Sequence, residues 1–185
     1  MPRMSPVRAF AAVFMAVFLF IFLSSALVTW MMPETYRATA RVVAPGEGSL
    51  GLFQSTELMR EVSQQLNLPE KFAARYGERK PLDGKLVEDM LRRSVRVRRV
   101  RGTELIEISV YSRFPAECAQ LANEIAETGT RHAQSAKIAE PAAPPLRPSR
   151  PNKPLNLALG AVVGIFLGTM AGGVGAKLAV GFDGR

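Results

Sequence analysis

Two long stretches without a charged residue constrain this chain more than any other feature. Ala9 to Pro33 carries no charge over 25 residues, and Pro154 to Ala176 carries none over 23. A helix needs roughly 20 apolar residues to cross a bilayer, where every backbone polar group must be satisfied within the segment itself. Both stretches are long enough. About 120 residues separate them, enough for one small domain with its own core. The layout predicts a tail over 1–8, a membrane helix over 9–32, a domain over 33–140, a proline-rich segment over 141–154, a second membrane helix over 155–176 and a tail over 177–185. Such an arrangement argues against a soluble enzyme, a nucleic-acid-binding protein in solution and a many-helix transporter.

The first stretch follows the basic start MPRMSPVR, which resembles the beginning of a signal peptide, and Ser24-Ser25-Ala26 matches a small-residue cleavage site. Its apolar run exceeds the ~7–15 residues of a signal peptide's central region. Trp30 at its far end suits a membrane-interface anchor, so the reading adopted is a retained helix. In the second stretch Gly160, Gly164, Gly168 and Gly172 recur every four residues and fall on one helix face. Small residues at that spacing let helices approach closely in lipid, where packing drives association. The plainer alternative is that glycine is common in membrane helices. The strict register favours a helix–helix contact face. Arg3 and Arg8, with Lys177 and Arg185, place both tails in the cytoplasm by the positive-inside rule, and the middle domain then faces outward. Arg147, Arg150 and Lys153 argue the opposite way, but the first helix usually dominates.

Charge and cysteine usage narrow the middle domain. The chain carries 24 Lys+Arg against 16 Asp+Glu, a formal +8, of which 20 bases and 15 acids lie between the apolar stretches. At +5 the domain is mildly basic rather than a polycation. Cys118 is the sole cysteine and His132 the sole histidine, so neither an intrachain disulfide nor a cysteine- or histidine-based metal cluster is available.

Along the domain, Tyr36 to Ala44 reads as a strand and PGEGSLGLFQ as a loop. Ser55 sits where an N-cap belongs, and Leu58, Met59, Val62 and Leu66 form one helical stripe. A short helix follows from Pro69 to Tyr76 with Gly77 as its stop, and Asp83 caps a third helix bearing Leu86, Val87, Met90 and Leu91. From Ser94 to Tyr111 the period becomes two: Val95 and Val97 alternate with Arg96 and Arg98, and Ile106, Ile108 and Val110 with Glu107 and Ser109. Arg101-Gly102-Thr103 is the turn of this hairpin, and the change of phase at Arg99 and Val100 marks a bulge. A longer helix runs from Pro115 to about Lys137, with Cys118, Leu121, Ala122, Ile125 and Ala126 on its buried face. The expected fold class is α+β: a small extracytoplasmic domain of about three or four strands, with helices packed on one face, between two transmembrane helices. Pro141 to Pro154 holds six prolines and three bases in fourteen residues, which fits an extended connector pinned directly before a membrane helix.

Six arginines lie between Arg92 and Arg101. Arg96, Arg98, Arg99 and Arg101 are candidates for an anion- or glycan-binding surface, because guanidinium forks match phosphate oxygens. The favoured alternative is a solvated strand face that discourages edge-to-edge pairing. Nucleic acid is not expected, since no aromatic platform is interleaved with the bases. Cys118 packs rather than reacts, and His132 is an ordinary surface or helix-end residue. The acidic pairs Glu88 with Asp89 and Glu104 with Glu107 lack a partnered base, nucleophile or metal. No catalytic residue, cofactor-binding residue or metal ligand is expected.

The layout resembles the Wzz-type polysaccharide chain-length determinants, or polysaccharide co-polymerases. Pro148-Ser149-Arg150-Pro151-Asn152-Lys153-Pro154-Leu155-Asn156, running into Leu157-Ala158-Leu159-Gly160, resembles their Pro-Ser-x-Pro-x-x-Pro approach to the second membrane helix. Glu104 to Val110, then Pro115 and Cys118-Ala119-Gln120-Leu121-Ala122-Asn123, resembles their strand-to-helix segment with its Ala-Asn pair. Tyr36-Arg37-Ala38 is similar to the start of their first strand. Two departures stand out. Family members usually have Asp where this chain has Phe114, and the larger members insert a long helical hairpin after the Ala-Asn helix, whereas here Pro141 follows Lys137 almost at once.

The resemblance implies a non-enzymatic regulator of bacterial surface polysaccharide synthesis in the inner membrane. It would form homo-oligomers and act on a polymerase or lipid-linked glycan. Pro148, Ser149, Pro151 and Pro154 would form the docking and alignment element, and Gly160, Gly164, Gly168 and Gly172 the helix-packing face. The alternative is an adaptor for a separate cytoplasmic tyrosine autokinase, as short members of the wider family are. No GxxxxGK[ST] phosphate loop is present, and only eight residues follow Lys177, so no kinase is expected within the chain itself.

Overall fold

The computed structural model describes residues 5–46, 48–133 and 135–181. In chain order the elements are α1 (Pro6–Met31), β1 (Tyr36–Val43), α2 (Ser49–Phe53), α3 (Thr56–Gln65), α4 (Leu68–Tyr76), α5 (Gly84–Ser94), β2 (Val95–Arg99), β3 (Leu105–Ser112), α6 (Pro115–His132), β4 (Lys137–Glu140) and α7 (Lys153–Gly181). They fall into two compact units. One spans Thr35–Ser149, and the other joins the segment ending at Glu34 to the segment beginning at Arg150.

The second unit is a helical hairpin. Its two helices, with mean hydropathy 2.6 over Pro6–Met31 and 2.0 over Lys153–Val180, are long and apolar enough to cross a membrane. Each starts earlier than its uncharged stretch, for a local reason. Ser5 Oγ accepts the Arg8 N–H at 3.4 Å and Pro6 occupies the first turn, where a missing N–H goes unneeded, so α1 begins ahead of residue 9. Asn152 Oδ1 accepts the Leu155 N–H at 3.3 Å, so α7 begins at Lys153 and places Pro154 in its first turn. Downstream α7 continues through Lys177. Arg3 and Arg185, two of the residues behind the orientation rule, lie outside the described residues.

The Thr35–Ser149 unit is α+β, with a four-stranded antiparallel sheet in the order β2-β3-β1-β4. Alternation decides the faces. Ala38, Ala40 and Val42 of β1 and Ile106, Ile108 and Val110 of β3 are buried in one core with Cys118, Leu121, Ala122, Ile125 and Ala126 of α6. Leu58, Met59 and Val62 of α3, Phe72 of α4, and Val87 and Leu91 of α5 complete that core. The caps are those the sequence predicts: Ser55 Oγ accepts the Leu58 N–H at 3.2 Å, Asp83 Oδ1 accepts the Lys85 N–H at 3.4 Å, and Gly77 ends α4 with φ of 73°.

Four details differ from expectation. The PGEGSLGLFQ stretch contains a helix, α2, whose Phe53 is fully buried. The final long helix stops at His132 instead of near Lys137, because Lys137–Glu140 turns back and pairs antiparallel with β1, satisfying an edge that would otherwise be open. The hairpin carries no bulge at Arg99, where the register runs unbroken from Val95↔Val110 to Arg99↔Ile106. The phase change instead marks the end of β2, with Val100 N–H bonded to the Leu105 carbonyl at 2.9 Å. The irregularity lies between β1 and β4, at Arg41/Val42.

Candidate functional site

The glycines of α7 face α1 of the same chain. A Cβ built on Gly164, Gly168 or Gly172 would come within 3.0, 3.0 and 2.9 Å of the rings of Phe18, Phe14 and Phe10 respectively, and one on Gly160 within 2.6 Å of Ser25. The phenylalanines stand four residues apart and stack in sequence, with centroids 6.0 Å apart for Phe10–Phe14 and Phe14–Phe18 and 5.8 Å for Phe18–Phe22. A ladder of rings therefore seats in a ladder of glycines running the other way. Ser25 Oγ donates to the Asn156 carbonyl at 3.2 Å, and Lys153 pairs with Glu34 at 2.9 Å near the helix ends.

Ahead of α7 the proline segment contains no helix and none of the four strands, and its two ends are held differently. At its start Asn123 of α6 grips Ala142 with both amide atoms: Oδ1 accepts the Ala142 N–H at 2.7 Å and Nδ2 donates to the Ala142 carbonyl at 3.0 Å. An asparagine side chain thus imitates a strand partner for one residue. Further along, the Ser149 N–H donates to the Thr35 carbonyl at 2.8 Å. Pro148 and Ser149 are exposed, Pro151 follows a cis peptide bond, and Pro154 lies in α7. Leu146, between the held residues Ala142 and Ser149, is 98% exposed. The sequence marks Asn123 only through the family-like Ala-Asn pair; its grip on Ala142 requires the fold.

The four arginines proposed as an anion surface are divided by the strand pleat. Arg96 and Arg98 project from the open sheet face, whereas Arg99 turns to the other face and donates to the Gly46 carbonyl, and Arg101 is exposed in the turn. Arg98 is engaged. Its guanidinium donates to Glu107 Oε2 at 2.7–2.8 Å, Arg41 donates to Glu107 Oε1 at 3.3 Å, and Arg41 also pairs with Glu140 at 2.6 Å. The chain Arg98–Glu107–Arg41–Glu140 crosses all four strands. Hydrogen bonding from Arg98, reinforced by Arg41, holds the Glu107 carboxyl below the usual carboxylate range against the upward push of its burial. Beside it Arg37 donates to Ser109 Oγ at 3.0 Å, and Thr39 and Ser109 hydroxyls lie 3.0 Å apart. Glu107, which has no evident partner in sequence, is therefore the centre of the open face. Arg92, Arg96 and Arg98 also border a groove of about 440 Å³, where Gln54 Nε2 donates to the Val97 carbonyl at 3.2 Å.

Cys118 is fully buried, its Sγ donates to the Tyr36 carbonyl at 3.4 Å, and burial pushes its thiol pKa up. His132 Nε2 lies 2.7 Å from Glu61 at the end of α6. Glu88 pairs with Arg60 at 2.8 Å.

A cleft of about 500 Å³ opens between α4, α5, the end of β3 and the start of α6. Phe72, Tyr76, Tyr111 and Phe114 line it together with Arg75 and Arg113. Arg75 lies between two rings, its Cζ 5.2 Å from the centroid of Phe72 and 4.5 Å from that of Phe114, and it pairs with Glu117 at 2.8 Å. Sequence reasoning marks Phe114 only as an odd residue before Pro115 and leaves the cleft unread. Compared with known proteins, the chain matches no family model and no curated protein.

Proposed function

We propose that this protein is a non-enzymatic membrane regulator of bacterial surface polysaccharide synthesis, whether of O-antigen, capsule or exopolysaccharide. In this reading it sits in the inner membrane with both termini cytoplasmic and its α+β domain periplasmic. It sets chain length by oligomerising and organising the polymerase on its lipid-linked glycan. The observation that carries the reading is the anchored proline segment. Asn123 fixes where it leaves the domain, and Asn152 with Pro154 fixes how it becomes α7. A flexible tether would need neither device. A proline-rich connector is stiffer than a flexible linker, which suits a domain that feeds directly into an apolar helix. Because the glycine ladder is occupied by α1, contacts between protomers in this reading fall to the domains and the outer helix faces.

The test compares surface polysaccharide on a gel from the parent strain, a deletion strain, and the deletion carrying Pro151→Ala with Pro154→Ala. A length distribution that shifts on deletion and returns only with the unaltered gene supports the reading. Unchanged length and amount in the deletion, with redundant genes removed, would overturn it. The experiment to follow would then be capture of a tyrosine autokinase by the full-length protein.

A further inference from the structure

We infer that the aromatic cleft around Phe114 is a binding site for an acidic sugar ring, with Phe114 as its stacking platform. The argument begins at a broken local rule. Phe114 occupies the N-cap position of α6 and makes no capping hydrogen bond. An Asp, Asn or Ser there would stabilise the helix by about 1 kcal/mol. The chain instead places a large ring at that point, and leaves it 48% exposed. Departures of this kind concentrate at functional sites.

The ring is exposed yet held. Ser112 Oγ accepts the Phe114 N–H at 3.3 Å and donates to Glu117 Oε2; Glu117 Oε1 accepts from Arg75; Arg75 stacks on the Phe114 ring. The circuit closes on the residue where it began, fixing both its backbone and its side chain. A preorganised platform loses little conformational freedom when a ligand covers it. Tyr76, 61% exposed, and the half-buried Tyr111 line the same cleft.

Chemistry selects the occupant. The face of an aromatic ring is electron-rich, and one side of a pyranose presents polarised C–H bonds that lie against such a face. The exposed Tyr76 hydroxyl and Arg113 guanidinium in the lining answer the sugar's hydroxyls. A volume of about 500 Å³ falls within the range of small-molecule sites, roughly 300–1,000 Å³. Arg75 is matched by Glu117, which leaves the exposed Arg113 as the uncompensated charge of the lining and favours a carboxylate-bearing sugar. The same excess disfavours the chain's own proline segment from a second copy, since that would bring Arg147 and Arg150 against Arg113. Only the source of the glycan rests on the function proposed above; the chemistry of the cleft does not.

The test uses the full-length protein in lipid nanodiscs, free of sugar-based detergent, with trigalacturonate and maltotriose as probes and saturation-transfer NMR as the readout. Trigalacturonate should bind in preference to maltotriose, with its ring C–H protons saturated. Phe114→Asn should weaken binding by up to about tenfold, the upper worth of one aromatic contact. As an N-cap, Asn should also leave the thermal midpoint equal or higher, which separates lost binding from lost folding. Phe114→Trp should retain binding. No binding of trigalacturonate to the parent protein, binding indifferent to Phe114→Asn, or displacement of both sugars by a peptide of residues 141–154 would overturn the inference, and equal binding of maltotriose would overturn its acidic preference. Polysaccharide unchanged in the deletion strain alongside intact trigalacturonate binding would sink length control and leave the site. Altered polysaccharide without sugar binding would do the reverse.

Discussion

Glu107 links three strands of the sheet through charged side chains. It sits on an inner strand, 8% exposed, with an arginine from each neighbouring strand on its two oxygens. Replacing it with Gln keeps the shape but removes a charge-assisted pair, and the expected loss is about 1–3 kcal/mol. The pH dependence follows from the direction of its shift. Because the folded carboxyl titrates below its unfolded value of about 4.3, its stabilisation is fully present above that pH and is lost as pH falls through the folded value. Thermal midpoints of the full-length protein in nanodiscs should therefore drop on acidification below about pH 4.5, and the slope should be shallower in Glu107→Gln. An equal slope in both proteins would remove Glu107 from the account.

Helix α6 owes its position to a glycine as much as to its apolar stripe. A Cβ on Gly129 would collide with the ring of Phe53, the fully buried last residue of α2. Gly129→Ala must therefore displace Phe53, and overpacking of this kind costs about 1–3 kcal/mol. Phe53→Leu in the Gly129→Ala background should recover part of that loss, because the shorter side chain vacates the space. Chemical denaturation of the parent, both single variants and the double variant would measure the coupling; additive effects would mean that the two residues act independently. Asn123 is the polar counterpart on the same helix, and it shapes the exit of the chain rather than the core.

The helical hairpin is one packed object in which α1 and α7 share a single interlocked face. Gly168→Leu would drive a branched side chain into the ring of Phe14 and separate the helices. Spin labels at Val7→Cys and Leu178→Cys, both positions exposed and at the same end of the antiparallel pair, should report one narrow distance in the parent and a broad or longer one in the variant. The native Cys118 is fully buried and stays unlabelled. A distribution unchanged by Gly168→Leu would show that the glycine ladder does not hold the hairpin closed. If the protein oligomerises as proposed, the same variant also asks whether assembly depends on an intact hairpin.

Much of this architecture is written locally. Uncharged length specifies two membrane-competent helices, period-two alternation specifies β1, β2 and β3, and Ser55, Asp83 and Gly77 set helix ends through hydrogen bonds within a few residues. Those features survive in sequence because their causes lie within a turn or two of the residue concerned. What was not legible depends on partners far along the chain. All four residues of β4 are exposed, so no apolar pattern announces a strand that exists because β1 had a free edge. Phe53 reads as part of a glycine-rich loop until Gly129 provides a place for it. The glycine stripe of α7 reads as a contact face, but only folding brings Phe10, Phe14 and Phe18 of the same chain against it. Arg98 reads as surface charge until Glu107 appears beside it, and Phe114 as a departure from a family pattern until Arg75, Glu117 and Ser112 close around it. Backbone period and capping act between near neighbours and can be read from order alone. Pairing, cavity shape and charge compensation arise between residues that only the folded chain brings together.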